Sequence, residues 1–185
     1  MQHLSRGDIE KIDSATIARG LHRLRTETGD QLTLIIPVSF VSLSNRQGRA
    51  SLAVLFEQAR AFVKTGVICE VCDIEGVPQA ALVAATSLIK PYCLFLIGRL
   101  AAPPDRGHAN LREAGLQAVS FEAPPNLSGD AEFAGWAKAS IGAAKLIAKS
   151  TIVYRLNSPR MAGMAALLGA SHASLRFEGV AADED

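Results

Sequence analysis

Short apolar runs alternate strictly with segments of helical spacing along this chain, and no hairpin signal joins any two of the runs. Read as strands, the runs fall at residues 32–38, 67–73, 93–97, 116–121 and 151–156, with a shorter one at 172–177. Helical spacing occupies 8–26, 52–63, 78–89, 131–149 and 158–168, with a single turn of helix at 110–114. In 8–26, Ile9, Ile12, Ile17, Leu21 and Leu24 recur mostly three to five apart, which gathers them on one face of a helix. The strand runs are apolar at consecutive positions, as in Leu34-Ile35-Ile36, and suit strands covered on both faces. Strands separated by helices are joined by right-handed crossovers into a parallel sheet with helices outside. Both a doubly wound sheet and a (β/α) barrel satisfy this order, and periodicity does not choose between them.

The chain has 185 residues, 49% hydrophobic and 20% charged, which predicts one globular domain with a sizeable core. A net charge of +1, with only Arg19, Arg23 and Arg25 close together on a helix, excludes a nucleic-acid partner. The longest apolar run, residues 89–102, is interrupted by Lys90, Pro91 and Arg99. It falls short of the roughly 18 residues a membrane span needs. With a polar opening broken by Gly7 and Asp8, these features predict a cytoplasmic protein with no membrane span in this chain.

The three cysteines, Cys69, Cys72 and Cys93, read as reduced thiols. Cys69 and Cys72 have CxxC spacing, but on a strand residues three apart point to opposite faces, so their sulfurs diverge. No second ligand pair completes a zinc site. The first strand is followed by Pro37-Val38-Ser39-Phe40, without the glycines of a phosphate loop, and no GxSxG elbow occurs. His22 and His108 read as surface groups, His172 as the start of the last strand, and Ser120 as a strand-end hydroxyl with no base to serve it. Phe133 and Trp136 are three apart and read as a pair packing a helix onto the sheet.

The strand ends taken in order resemble the EAL family, whose members hydrolyse cyclic-di-GMP on a (β/α) barrel. The likeness runs from about residue 8 to residue 175. Ile36-Pro37-Val38-Ser39 sits where the family has V-N-L-S, and Cys69-Glu70-Val71-Cys72-Asp73 resembles E-x-T-E. Residues 94–99 sit where a strand leads into D-D-F-G. Ala118-Val119-Ser120-Phe121-Glu122 resembles L-K-I-D, and Ile152-Val153-Tyr154-Arg155-Leu156 resembles V-A-E-G-V-E. Leu167-Leu168-Gly169 opens a stretch similar to the closing L-x-x-L-G-x-x-x-x-Q-G. The resemblance implies an α/β fold: a parallel-stranded (β/α) barrel of the EAL type, incomplete or modified at its N-terminal strand. Residues 1–178 form the domain, and 179–185 an acidic C-terminal tail.

That family uses divalent cations held by carboxylates and an Asn, with a Lys near the attacking water. Here the Asn position holds Pro37, and the paired aspartates fall at Ile97-Gly98 or Gly98-Arg99. The Lys falls on Ser120, the late glutamate region holds Tyr154, Arg155 and Asn157, and the closing Gln falls on Ser174. The Glu-Ala-Leu strand would lie before Met1. Glu70 alone survives as a ligand, with the shorter Asp73 as its partner, a vestigial site without metal or cofactor. Glu70 otherwise reads as an inward carboxylate paired with Arg99 or Arg155, or simply solvated, and either arginine would repel a cation there. The chain is therefore expected to be no enzyme. It reads as a catalytically inactive EAL-like domain acting as a protein-interaction or regulatory module in bacterial signalling, with a protein partner or a homodimer. The second reading is a non-hydrolysing cyclic-di-GMP receptor in which Arg99 and Arg155 meet the phosphates. The third is an unrelated α/β domain.

Overall fold

The computed structural model describes residues 4–26, 33–58, 66–104, 111–127 and 129–176. Among the described residues six strands make one sheet: β1 (Leu34–Ser39), β2 (Val67–Cys72), β3 (Phe95–Arg99), β4 (Ala118–Glu122), β5 (Ser150–Leu156) and β6 (His172–Leu175). Their order in the sheet is their order in the chain, and every neighbouring pair is parallel. A doubly wound sheet reverses its order at a switch point. This one never does. It is a curled half-barrel, an incomplete (β/α) barrel with its edges at β1 and β6.

The helices are α1 (Arg6–Thr26), α2 (Phe40–Ser44), α3 (Arg46–Gln58), α4 (Gln79–Ile89), α5 (Asp130–Ile147) and α6 (Pro159–Leu167). They pack on the convex face. Val67, Cys69, Val71, Leu96, Val119, Phe121 and Val153 point outward from the strands into this layer. There they meet Ile17 and Leu21 of α1, Phe56 of α3, Leu82 of α4 and Phe133 and Ile141 of α5. Alternate residues point inward, and Ile68, Ile97, Ala118 and Ile152 form a smaller concave cluster with Phe95 and Tyr154. The Phe133–Trp136 pair docks α5 as the spacing predicts, its centroids 5.7 Å apart and Trp136 edge-on to Phe121 at 6.1 Å.

Local chemistry sets the ends of the elements. Ser158 accepts a bond from the Met161 amide at 3.2 Å and Pro159 opens α6, a capped start with proline in its first turn. Gly98 lies within β3 where a Cβ would meet the side-chain ends of Ile74, Leu116 and Leu111 at 2.8–3.2 Å, so a larger residue would have to push them aside for the outer layer to close over this strand.

The chain departs from its sequence reading in a few places. The third strand was expected at 93–97 but runs Phe95–Arg99, because Lys90–Tyr92 first turns through a 3-10 helix. This shift puts Arg99 inside a strand end. The short α2 carries no periodic signal and was not expected. Residues 111–115 turn without forming a helix. Residue 32, residues 59–63, 110 and 177, the boundary at 178, the tail 179–185, His3 and His108 lie outside the described residues. Among the described residues no helix is long and apolar enough to cross a membrane.

Candidate functional site: the polar face at the strand ends

The inward-facing positions of a curled parallel sheet converge toward its C-terminal edge, where functional groups of such folds gather. Here the convergence centres on Glu70, inward on β2 and 3% exposed. Its Oε1 accepts bonds from Ser120 Oγ on β4 at 2.6 Å and Tyr154 Oη on β5 at 2.9 Å. Its Oε2 accepts from Arg99 Nη1 on β3 at 3.3 Å. Four strands are thus tied through one carboxylate, which meets the requirement that a buried charge be paired and hydrogen-bonded.

Glu122, at the end of β4, forms the outer half of the network. One oxygen pairs with Arg99 Nη2, and the other with Arg155 Nη1 at 3.1 Å. Two guanidiniums therefore share a single carboxylate. Arg99 also lies over the Tyr154 ring, 5.5 Å from its centroid, a cation–π arrangement. Burial opposes the charge on Arg99, but Glu70 and Glu122 outweigh it and raise the guanidinium above its ordinary pKa. Burial, and then the charge of Glu70, push the Tyr154 hydroxyl up and take the Cys72 thiol to about 12.

A second polar group lies at the end of β1. Asp13, on α1, accepts the Ser39 amide at 2.9 Å and Ser42 Oγ at 2.5 Å. Burial raises its carboxyl pKa, against the pull of those two bonds. Ser39 Oγ donates to Asp73 Oδ2 at 2.6 Å. Asp73 and Arg155 both hold left-handed backbone, with φ of 59° and 60°. Each costs of order 1–3 kcal/mol for a residue with a side chain, a strain that clusters at ligand sites. At Arg155 the strain coincides with a register shift between β5 and β6, a bulge that re-aims the side chain toward Glu122.

The structure brings Glu70 and Arg99 together as the sequence allowed. Arg155 reaches Glu122, not Glu70, and Asp73 pairs with Ser39 instead of joining Glu70. Ser120 is fully buried beneath Glu70 and offers no accessible nucleophile. Asp13, Ser39 and Glu122 were missed. Asp13 could have been found, since it lies four before Ile17 and eight before Leu21 on the same buried stripe. The residues present do not fit a divalent cation: the oxygens of Glu70 and Glu122 are taken by hydroxyls and guanidiniums. Among the described residues no cluster of three or more His, Cys, Asp or Glu side chains could hold a metal.

The sequence matches no protein-family model and no curated protein. Solved structures match it well. The PaMucR phosphodiesterase in its c-di-GMP complex aligns with a TM-score of 0.68 at 13% identity, over 89% of this chain and 73% of that one. The FimX EAL domain from Pseudomonas aeruginosa bound to c-di-GMP aligns with a TM-score of 0.67 at 18% identity, over 90% and 68%. Bacillus subtilis YKUI, a protein with an EAL domain in complex with substrate c-di-GMP and calcium, aligns at 0.70 and 11%, over 95% and 44%. The chain has the fold of the EAL domains.

The expectation that the chain is no enzyme is overturned by these comparisons. The fold is one that phosphodiesterases use, PaMucR by name among them, and YKUI holds c-di-GMP as substrate. The physical reason is that a fold is held by its buried strand and helix pattern, which tolerates replacement of polar residues at strand ends. Matching strand-end positions one by one left only Glu70 and Asp73, and that count was too narrow a ground.

Proposed function

We propose that this domain serves cyclic-di-GMP signalling as a regulatory module that takes the dinucleotide at the strand-end face. Arg99 and Arg155 hold the phosphates. The observation that carries this is the pair of guanidiniums converging on Glu122, each set on a strand end and neither facing bulk solvent alone. Planar forks match phosphate oxygens as well as carboxylate oxygens. A phosphate displaces the Glu122 carboxylate from between them without rebuilding the sheet. Glu70 and Asp73 stay in structural roles, Glu70 holding Arg99 in place and Asp73 holding the end of β1. The solved neighbours bound to c-di-GMP support the choice of ligand.

Calorimetric titration tests it. The unmodified domain is expected to bind cyclic-di-GMP at one site tighter than about 10 μM, about −7 kcal/mol. Arg155→Asn removes the guanidinium and leaves a residue that tolerates left-handed backbone. Its affinity is expected to fall at least about tenfold, the loss of one charge-assisted contact, with no drop in melting temperature. Equal affinity in the variant would remove Arg155 from the site. No heat with the unmodified domain would sink the assignment.

A further inference from the structure

The convex side of the sheet holds a chemical feature separate from the polar face. Cys69 points outward from β2 into the core and is fully buried. Cys93 precedes β3, at the end of the 3-10 turn, and is 9% exposed. Their sulfurs are 3.1 Å apart, the Cys93 thiol donating to Cys69 Sγ. The neighbouring Leu94 amide bonds the Val67 carbonyl at 2.7 Å, so backbone holds this register. A disulfide needs a separation of about 2.05 Å, so closure asks the sulfurs to approach by about 1 Å. Cys72 faces the other way, its sulfur 3.7 Å from the Glu70 carbonyl.

Access is one-sided. A surface cavity of about 610 Å³ is lined by Ser87, Lys90, Pro91, Cys93 and Leu94. A small oxidant in it meets Cys93, with Lys90 in the same wall. Cys69 lies behind, its thiol pKa raised well above the ordinary value by the bond from Cys93 and then by burial.

We propose that Cys93 and Cys69 form a peroxide-oxidised modification site, with Cys93 the group oxidised first and Cys69 the resolving thiol. The Cys93 thiolate attacks one oxygen of hydrogen peroxide. The O–O bond breaks, a sulfenic acid forms, and the departing hydroxide takes a proton to leave as water. The Cys69 sulfur, losing its proton, then attacks the Cys93 sulfur. The S–S bond forms, the S–O bond breaks, and a second water leaves. Two thiols give up two electrons and one peroxide becomes two waters, with no other reactant. The site does not rest on the ligand assigned above.

The full chain is treated with hydrogen peroxide, alkylated in denaturant with N-ethylmaleimide, and mapped after combined trypsin and Glu-C digestion. Glu-C cuts after Glu70 and so separates Cys69 from Cys72. The expected product is a peptide pair joined through Cys69 and Cys93, with Cys72 alkylated and the link reversed by dithiothreitol. Closing the loop between them raises the melting temperature of the oxidised protein by several degrees. Cys93→Ala gives no link. Three alkylated cysteines after treatment would overturn the assignment, as would a link that includes Cys72 or Cys93 stopped at sulfinic acid. The result on the unmodified chain stands even if the alanine variant fails to fold.

Discussion

Glu70→Ala is expected to cost about 3 kcal/mol of folding stability, the scale of breaking a buried ion pair from one side. The loss has identifiable parts. Ser120 Oγ is buried and its one acceptor goes. Tyr154 Oη, half-buried, loses the carboxylate that fixes its ring. Arg99 keeps Glu122 and is one-third exposed along its side chain, so solvent and that second carboxylate recover part of its share. For that reason the figure sits at the low end of the range for buried pairs. Glu70→Gln keeps one acceptor oxygen for Ser120 and Tyr154 but turns its NH2 toward Arg99, losing the charge and that one hydrogen bond, so about half the loss is expected. Urea denaturation of the three proteins measures both differences. A loss below about 1 kcal/mol for the alanine variant would show that the network is not held through Glu70.

Phe133→Ala is expected to cost about 4 kcal/mol, and to lower the melting temperature by roughly 10 °C in a chain of this length. Phe133 is fully buried in α5 and packs at a tilt against Trp136, which meets Phe121 of β4 edge-on. Removing the ring leaves a void between helix and sheet that neither neighbour can fill without moving backbone. Leu146, on the same helix and 77% exposed, provides the contrast. Its alanine variant is expected to change stability by less than about 0.5 kcal/mol. Thermal unfolding checks the pair, and similar losses for both would contradict the packing described here.

How much of this was legible in the sequence depends on the kind of signal. Strand and helix alternation survives almost intact, because period-2 and period-3.6 burial is a local pattern. Strand order is not local. The chain cannot show from periodicity that each strand lies beside its predecessor, and only the register does, with Glu70 opposite Ile97 and Ser120 opposite Ile152. The Cys69–Cys93 contact is hidden for a similar reason, since it joins β2 to the turn before β3 across 24 positions, while the eye-catching CxxC pair points apart. Glu70 and Arg99 were legible because each stands out in an apolar run. Glu122 was not, because an acidic residue at a strand end looks like any solvated loop charge until Arg99 and Arg155 are seen on either side of it. The left-handed backbone at Asp73 and Arg155 has no composition signal at all.

The central claim is that a phosphate takes the place of the Glu122 carboxylate between Arg99 and Arg155. Calorimetric titration of cyclic-di-GMP into Glu122→Gln, beside the unmodified domain, tests this most directly. The amide keeps the size of the side chain and removes the competing charge, so affinity is expected to rise about tenfold, about 1.4 kcal/mol. Affinity that stays equal or falls would contradict the claim, because it would mean that Glu122 does not compete with the ligand for the two arginines.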